Sequence, residues 1–219
     1  MDDLNKTVIV FDLDDTLFSE VDYQLSGYKA IQSKIQDIYG EDVSFILQGQ
    51  NKRADVLGDV CKELALPDSV KESLLWLYRL HFPDIKLDSD IKLLLDWLEE
   101  NTMAIAILTD GRSITQRLKL MALGLERFEA YVSEEWQESK PSLKRFNAIK
   151  DKYPKAKRFL YVGDNLKKDF IAPNALNWLT VGVRDQGRNI HSQSINVDSP
   201  TCLPKVWINN LSELNQILC

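Results

Sequence analysis

Four short stretches of the chain, residues 7 to 11 (TVIVF), 103 to 108 (MAIAIL), 158 to 163 (RFLYVG) and 178 to 183 (WLTVGV), are apolar nearly throughout instead of alternating. A strand with one wet face alternates. A strand covered on both faces does not, and that coverage is found in parallel sheets flanked by helices. Residues 128 to 132 (FEAYV) and 205 to 208 (KVWI) are weaker candidates of the same kind.

Helical patterns separate these runs. Ile91, Leu94, Leu95 and Leu98 recur at i, i+3, i+4 and i+7, with Ser89 or Asp90 placed to cap the helix start. Ile114, Leu118 and Met121 follow the second run, with Gly124 as a stop, and Leu143, Phe146 and Ile149 follow Pro141, a good first-turn residue. Alternating strand and helix from 86 to 183 predicts an α/β domain with a doubly wound parallel sheet. The interval between the first two strands is too long for one crossover helix. It carries three amphipathic patterns (Val21 to Ile38, Leu57 to Leu64, Val70 to Tyr78) and no convincing strand. This predicts a small all-helical domain over 17–85, with 1–16 and 86–219 forming the core domain. Residues 184 to 204 are polar and turn-rich, hence expected to be irregular.

With 219 residues, 44% hydrophobic and 27% charged, the chain has the composition of an ordinary globular protein. A net charge of −6 argues against a nucleic-acid surface. Cys61, Cys202 and Cys219 are widely spaced and form no CxxC pattern, so neither a disulfide framework nor a zinc site is indicated. The start MDDLNK lacks the features of a secretory signal, and Met103 to Leu108 is far too short to span a membrane. A cytoplasmic protein without a membrane role is expected. Nothing in the sequence bears on oligomeric state.

In a doubly wound sheet the ligand sits outside the carboxyl ends of the strands. The first strand is followed there by Asp12, Asp14 and Asp15, the second by Thr109, Asp110 and Gly111, and the one at 158 to 163 by Asp164, Asn165 and Asp169. Lys140 precedes Pro141 at a predicted helix start and can lean over the same edge. Singly, each reads as a turn, a cap or a solvated charge. Together, carboxylates from separate strand ends make an oxygen-ligand site suited to Mg²⁺. The Thr109 hydroxyl, the amides of Asp110 and Gly111 and the Lys140 ammonium would then surround a phosphoryl group.

DLDDT at 12 to 16, LTDG at 108 to 111, SKP at 139 to 141 and GDNLKKD at 163 to 169 resemble, in order, the four motifs of the haloacid dehalogenase-like (HAD) superfamily. The resemblance spans nearly the whole chain. It implies a Rossmann-like core and makes 17–85 the helical cap that many members insert after the first motif. It further implies that Asp12 is a nucleophile forming an aspartyl-phosphate and that Asp14 is the general acid and base. Mg²⁺ would be held by the Asp12 side chain, the Asp14 backbone carbonyl and Asp164, with Asp169 at or just behind the metal or positioning Lys140. Thr109 and Lys140 would bind phosphoryl oxygens. Members that attack carbon lack an acid at the position of Asp14, so its presence favours phosphoryl chemistry.

A Mg²⁺-dependent phosphatase of a small phosphorylated metabolite is the function implied. A phosphomutase of the β-phosphoglucomutase type, a phosphorylation-dependent switch resembling receiver domains and a non-catalytic scaffold are the rivals. Asp15 is given only a turn or cap contact. His81 and His191 stand apart from any ligand cluster and read as hydrogen-bonded surface or boundary residues. The aromatic residues of 74 to 82 read as cap core, Arg112 as substrate contact or solvated charge, and Lys52 and Arg53 as exposed charges that could meet a substrate anion.

Overall fold

The computed structural model describes residues 4–47, 55–194 and 199–218. Six strands, β1 (Thr7–Phe11), β2 (Ala104–Thr109), β3 (Glu129–Val132), β4 (Arg158–Gly163), β5 (Leu179–Val183) and β6 (Val206–Ile208), pair in parallel in the order β3-β2-β1-β4-β5-β6. The four apolar runs are therefore strands, with bounds within one residue of those expected, and both weaker candidates join the sheet.

The physical reason for the unbroken apolar runs is visible in the two faces. Ile9 and Phe11 of β1, Ile107 of β2 and Val162 of β4 enter one buried cluster with Leu94, Leu95 and Leu98 of α5 (Ser89–Asn101). Val8, Val10, Leu108 and Tyr161 point the other way, into a cluster with Phe146 and Ile149 of α8 (Lys144–Lys152) and Trp178. The central strands are covered on both faces, so side chains of both parities are mostly apolar, and the buried exceptions, such as Thr180 bound to Asn174, carry hydrogen bonds.

The strand order reverses between β1 and β4, the position where doubly wound sheets open a crevice at their carboxyl ends. The β1–β4 ladder runs from Thr7 opposite Arg158 to Phe11 opposite Val162, and the Asp12 amide extends it by donating to Val162 O at 2.8 Å. Asp12 and Asp164 are thereby delivered to the two lips of that crevice.

Between β1 and α5 the described residues contain only helices: α1 (Glu20–Tyr39), α2 (Ser44–Leu47), α3 (Val56–Glu63) and α4 (Asp68–Leu80). They enclose their own apolar cluster, in which Ile31, Ile35, Val43, Val60, Cys61 and Leu74 are buried. Tyr78 packs against both this cluster and the sheet cluster. Lys52 and Arg53 lie outside the described residues. Among the described residues, no helix is long and apolar enough to cross a membrane. Cys61 and Cys202 are free thiols.

Several expected details are corrected. Helix α5 begins at Ser89 itself with Asp88 as the capping position, and Pro141 lies in a turn ahead of α8, whose capping position is Leu143. Gly124 does close α6 (Ser113–Leu123), at φ 67°. The buried face of α6 is not Ile114, Leu118 and Met121, of which Ile114 and Met121 are exposed; it is Gln116, Lys119, Leu120 and Leu123. In the insert, Leu25 and Ile38 are exposed. Of the 74 to 82 segment, Leu74 is buried while Trp76, Leu80 and Phe82 are exposed, so only part of it is core.

The helix-covered face around Phe146 gives a direct test of this packing. The ring is fully buried and meets Tyr161 and Trp178 edge-on at centroid distances of 5.2 and 5.6 Å. Phe146→Ala should destabilise the protein by about 3–5 kcal/mol in urea unfolding. A loss below about 1 kcal/mol would show that this face is not packed as described.

Candidate active site

Beyond the carboxyl ends of β1, β2 and β4 lies a cavity of about 150 Å³ bordered by Asp12, Asp14, Thr109, Asp110 and Asp164. Asp15, Glu20, Asn165, Lys168 and His191 complete its wall. Beneath it, oxygens of Asp12, Asp164 and Asp169 lie within 4.8 Å of one another, and all three side chains are buried. Lys140 Nζ is 2.7 Å from Asp12 Oδ1 and 2.7 Å from Asp169 Oδ1, with the Tyr161 hydroxyl at 3.2 Å. Lys140 and Asp169 support the cluster from below and do not border the cavity.

The second oxygen of Asp169 accepts from the amides of Asp164 and Asn165 at 3.1 and 2.8 Å. This clasp needs Gly163: a Cβ there would stand 2.5 Å from Asp169 Oδ2. The absence of a side chain at Gly163 is thus what lets the Asp169 carboxylate pack against the end of β4.

Electrostatics shows what the cluster lacks. Burial, reinforced by Asp169 and against the pull of Lys140, raises Asp12 to about 7. Burial, with Asp169 and Asp12 adding to it, pushes Asp164 to about 9. For Lys140 burial opposes the charge, but Asp12 and Asp169 more than offset it and hold its pKa well above the ordinary lysine value. One ammonium does not balance three carboxylates, and a hard cation taking oxygen ligands fits the residual charge and the donor set.

Asp14 is held differently. Its carboxylate accepts from Lys119 Nζ at 2.6 Å and from Gln116 Nε2 at 2.8 Å, and Lys119 lies 4.3 Å from the centroid of the Tyr23 ring. Gln116 Nε2 also reaches Thr109 Oγ1 at 2.8 Å and Asp110 O at 2.9 Å. The polar residues that displaced the expected apolar face of α6 are therefore tied to the cavity wall. They were missed because burial of a Gln and a Lys is set by partners over a hundred residues away. The one local signal is their spacing with Leu120 and Leu123, again i, i+3, i+4 and i+7.

Arg145 is a further residue that sequence reasoning passed over. Its fully buried guanidinium binds Thr109 O at 2.8 Å, Tyr131 O at 3.0 Å, Asp110 Oδ1 at 2.6 Å and Glu138. Burial opposes ionisation of Asp110, but Lys140 and Arg145 overcome it and hold its carboxyl below the usual range. The Asp110 side chain accordingly braces the loop, also accepting from the Lys140 amide at 3.2 Å, with Lys168 Nζ at 3.3 Å. The Gly111 amide donates to Ser133 Oγ at 2.9 Å.

Asp15 does more than cap. It accepts from the Glu20 amide at 2.8 Å, at the start of α1, and from the Ile190 amide at 2.8 Å. The 184–194 segment, expected only to be irregular, returns to the site: Asn189 Nδ2 donates to Asp164 Oδ2 at 2.8 Å and Gln193 Nε2 to Asp164 O at 2.9 Å. His191 in the same segment is exposed yet borders the cavity. His81 is hydrogen-bonded as expected, with Nδ1 2.6 Å from Tyr78 O and Nε2 3.2 Å from Ser26 Oγ, but it is buried and not a surface or boundary residue. Arg112 pairs loosely with Glu134 at 3.5 Å.

Comparison with known proteins places this geometry. A model of the haloacid dehalogenase-like hydrolase family matches residues 9–183. A glyceraldehyde 3-phosphate phosphatase of Methanocaldococcus jannaschii is 28% identical over 191 residues, covering 80% of this chain and 83% of the relative. A protein of the same name from Methanopyrus kandleri is 28% identical over 193 residues, with the same coverage of each chain. The crystal structure of the HAD-hydrolase YfnB from Bacillus subtilis, bound to magnesium, superposes with a TM-score of 0.64 at 20% identity, covering 97% of this chain and 98% of that one. Strand order, acidic crevice and family match agree: the chain belongs to the haloacid dehalogenase-like hydrolase family and is a phosphatase, a hydrolase of phosphoric monoesters.

Proposed function

We propose that the protein is a Mg²⁺-dependent phosphatase of a small phosphorylated metabolite that works through an aspartyl-phosphate on Asp12. The observation that carries this reading is the buried Asp12, Asp164 and Asp169 cluster over a single lysine. Asp12 and Asp164, with the backbone carbonyl of Asp14 and with Asp169 behind them, would hold the cation. When bound, it supplies the positive charge that lets Asp12 ionise and that offsets charge on a transferring phosphoryl group.

The residues of this chain then divide the work. A carboxylate oxygen of Asp12 forms the bond to phosphorus as the ester P–O bond breaks, and Asp14 delivers its proton to the leaving oxygen. Asp14 next takes a proton from water, whose oxygen bonds to phosphorus and releases Asp12 and inorganic phosphate. Thr109 and the Asp110 amide would meet the phosphoryl oxygens, Lys140 acts from below the cavity through Asp12, the Gly111 amide stays bound to Ser133 Oγ, and Arg145 keeps that loop in place. The helical segment 17–85 acts as a cap, which favours small substrates. Two relatives named for glyceraldehyde 3-phosphate support a substrate of about that size. The free thiols of Cys61 and Cys202 agree with a cytoplasmic setting.

Asp12→Asn should lower phosphate release from p-nitrophenyl phosphate in Mg²⁺ by at least about a thousandfold, since the mutant lacks the nucleophile. Activity within tenfold of wild type would remove Asp12 from that role.

The raised carboxyls give a second test with a definite sign. In the metal-free protein Asp12 and Asp164 titrate near 7 and 9, above the unfolded value of about 3.9, so the folded state binds more protons across that window. Folding stability from this source therefore falls as pH rises from about 5 to 9. Melting curves in EDTA should shift downward over this range, and the gain in Tm on adding Mg²⁺ should be larger at pH 8.5 than at pH 5.5. A gain that is absent or independent of pH would dissociate the cluster from cation binding.

A further inference from the structure

A second cavity of about 310 Å³ adjoins the catalytic one and shares Asp14, Glu20 and Asp110 with it. Its remaining wall comes from two sides. Tyr23 of α1 and Leu75, Tyr78 and Arg79 of α4 face it from the helical insert, while Arg112, Thr115, Gln116 and Lys119 face it from the start of α6. It shares more of its wall with the catalytic cavity than the neighbouring space beside Asp15 does, and so offers room for the part of a substrate beyond the ester oxygen.

Most charges on this wall are already matched. Asp14 is bound by Lys119, and Asp110 by Arg145 and Lys168. Two remain without an ion pair among the described residues: Glu20 and Arg79. Arg79 stacks its guanidinium 5.5 Å from the Trp76 ring centroid, which leaves its donors available. Arg112, across the cavity, has only the long contact to a half-exposed Glu134.

The positions of these charges are ordered. Glu20 borders both cavities, whereas Arg79 and Arg112 border only the outer one. A carboxyl at the junction suits a hydroxyl near the ester oxygen, and two guanidinium groups farther out suit an anion. Resting on the phosphatase reading above, we infer that the substrate is a hydroxylated phosphate monoester whose far end carries a second anionic group, held between Arg79 of the insert and Arg112 of the core. An anion bridging the two would also draw the insert toward the sheet edge.

Glyceraldehyde 3-phosphate and 3-phosphoglycerate test this cleanly, because they share the ester and the 2-hydroxyl and differ in charge only at C1. Glycerol 3-phosphate and glycerol 1,3-bisphosphate, which likewise keep the ester and the 2-hydroxyl, make the corresponding pair for a second phosphate. In Mg²⁺ the wild type should show kcat/KM at least about tenfold higher for the anionic member of one pair, and which pair does so names the anion as carboxylate or phosphate. That ratio should collapse toward one in Arg79→Gln and persist in Arg79→Lys, which keeps the charge. Equal or inverted ratios in both pairs would overturn the inference, as would a ratio unchanged in Arg79→Gln and in the Arg79→Gln/Arg112→Gln double variant. Failure of the wild type to release phosphate even from p-nitrophenyl phosphate would instead overturn the phosphatase reading on which it rests.

Discussion

The Lys140 ammonium, closed off from solvent and 2.7 Å from both Asp12 and Asp169, is the interaction on which the rest of the site depends. Removing an ammonium and three carboxylates from water costs several kcal/mol per ion unless each finds partners. The structure supplies them from elements far apart in sequence. Asp169 is clasped by two backbone amides and the Tyr161 hydroxyl, and Asp164 by Asn189. The lysine still leaves an excess of negative charge. Burial, with that excess adding to it, raises the carboxyls of Asp12 and Asp164, and the donor set fits a cation that would offset it.

Such a cluster works only if the backbone around it cannot relax. Arg145 provides that rigidity on the β2 side, because one planar guanidinium joins the carbonyl at the end of β2, the carbonyl of Tyr131 in β3, the Asp110 carboxylate and Glu138. Asp110 in turn receives the Lys140 amide, so the loop after β2 and the lysine share one brace. On the β4 side the role falls to the 184–194 segment, which Asp15 ties by the Ile190 amide and Asp22 by an ion pair with Arg188 at 2.6 Å.

The parts of this arrangement that can be read from sequence are those set by local rules. Strands buried on both faces are apolar nearly throughout, so TVIVF, MAIAIL and RFLYVG mark the sheet to within a residue. Acidic residues directly after such runs lie at the crevice by topology alone. What escapes is polar burial. Gln116 and Lys119 look like the wet side of α6, and Arg145 looks like one more charge in a basic helix, until the residues they bind are brought beside them from other strands. The 184–194 loop escapes for the same reason, since its composition describes a turn-rich segment and says nothing of Asp164.

In the proposed reading, the two adjoining cavities separate chemistry from selection. The inner one is walled by strand ends and core loops, and Glu20 is its single contribution from the helices inserted after β1. The outer one takes Tyr23, Leu75, Tyr78 and Arg79 from those helices. The inserted helices bury a cluster of their own and reach the sheet cluster mainly through Tyr23 and Tyr78. Leu75 and Arg79 of α4, which face the outer cavity and enter neither cluster, can therefore change without disturbing the packing that holds Asp12, Lys140 and Asp164. A sheet edge that must keep four charged groups in balance has little freedom to vary, whereas a helical wall with an independent core has a great deal. On the proposed function, the choice of leaving group would fall to the element that can bear it.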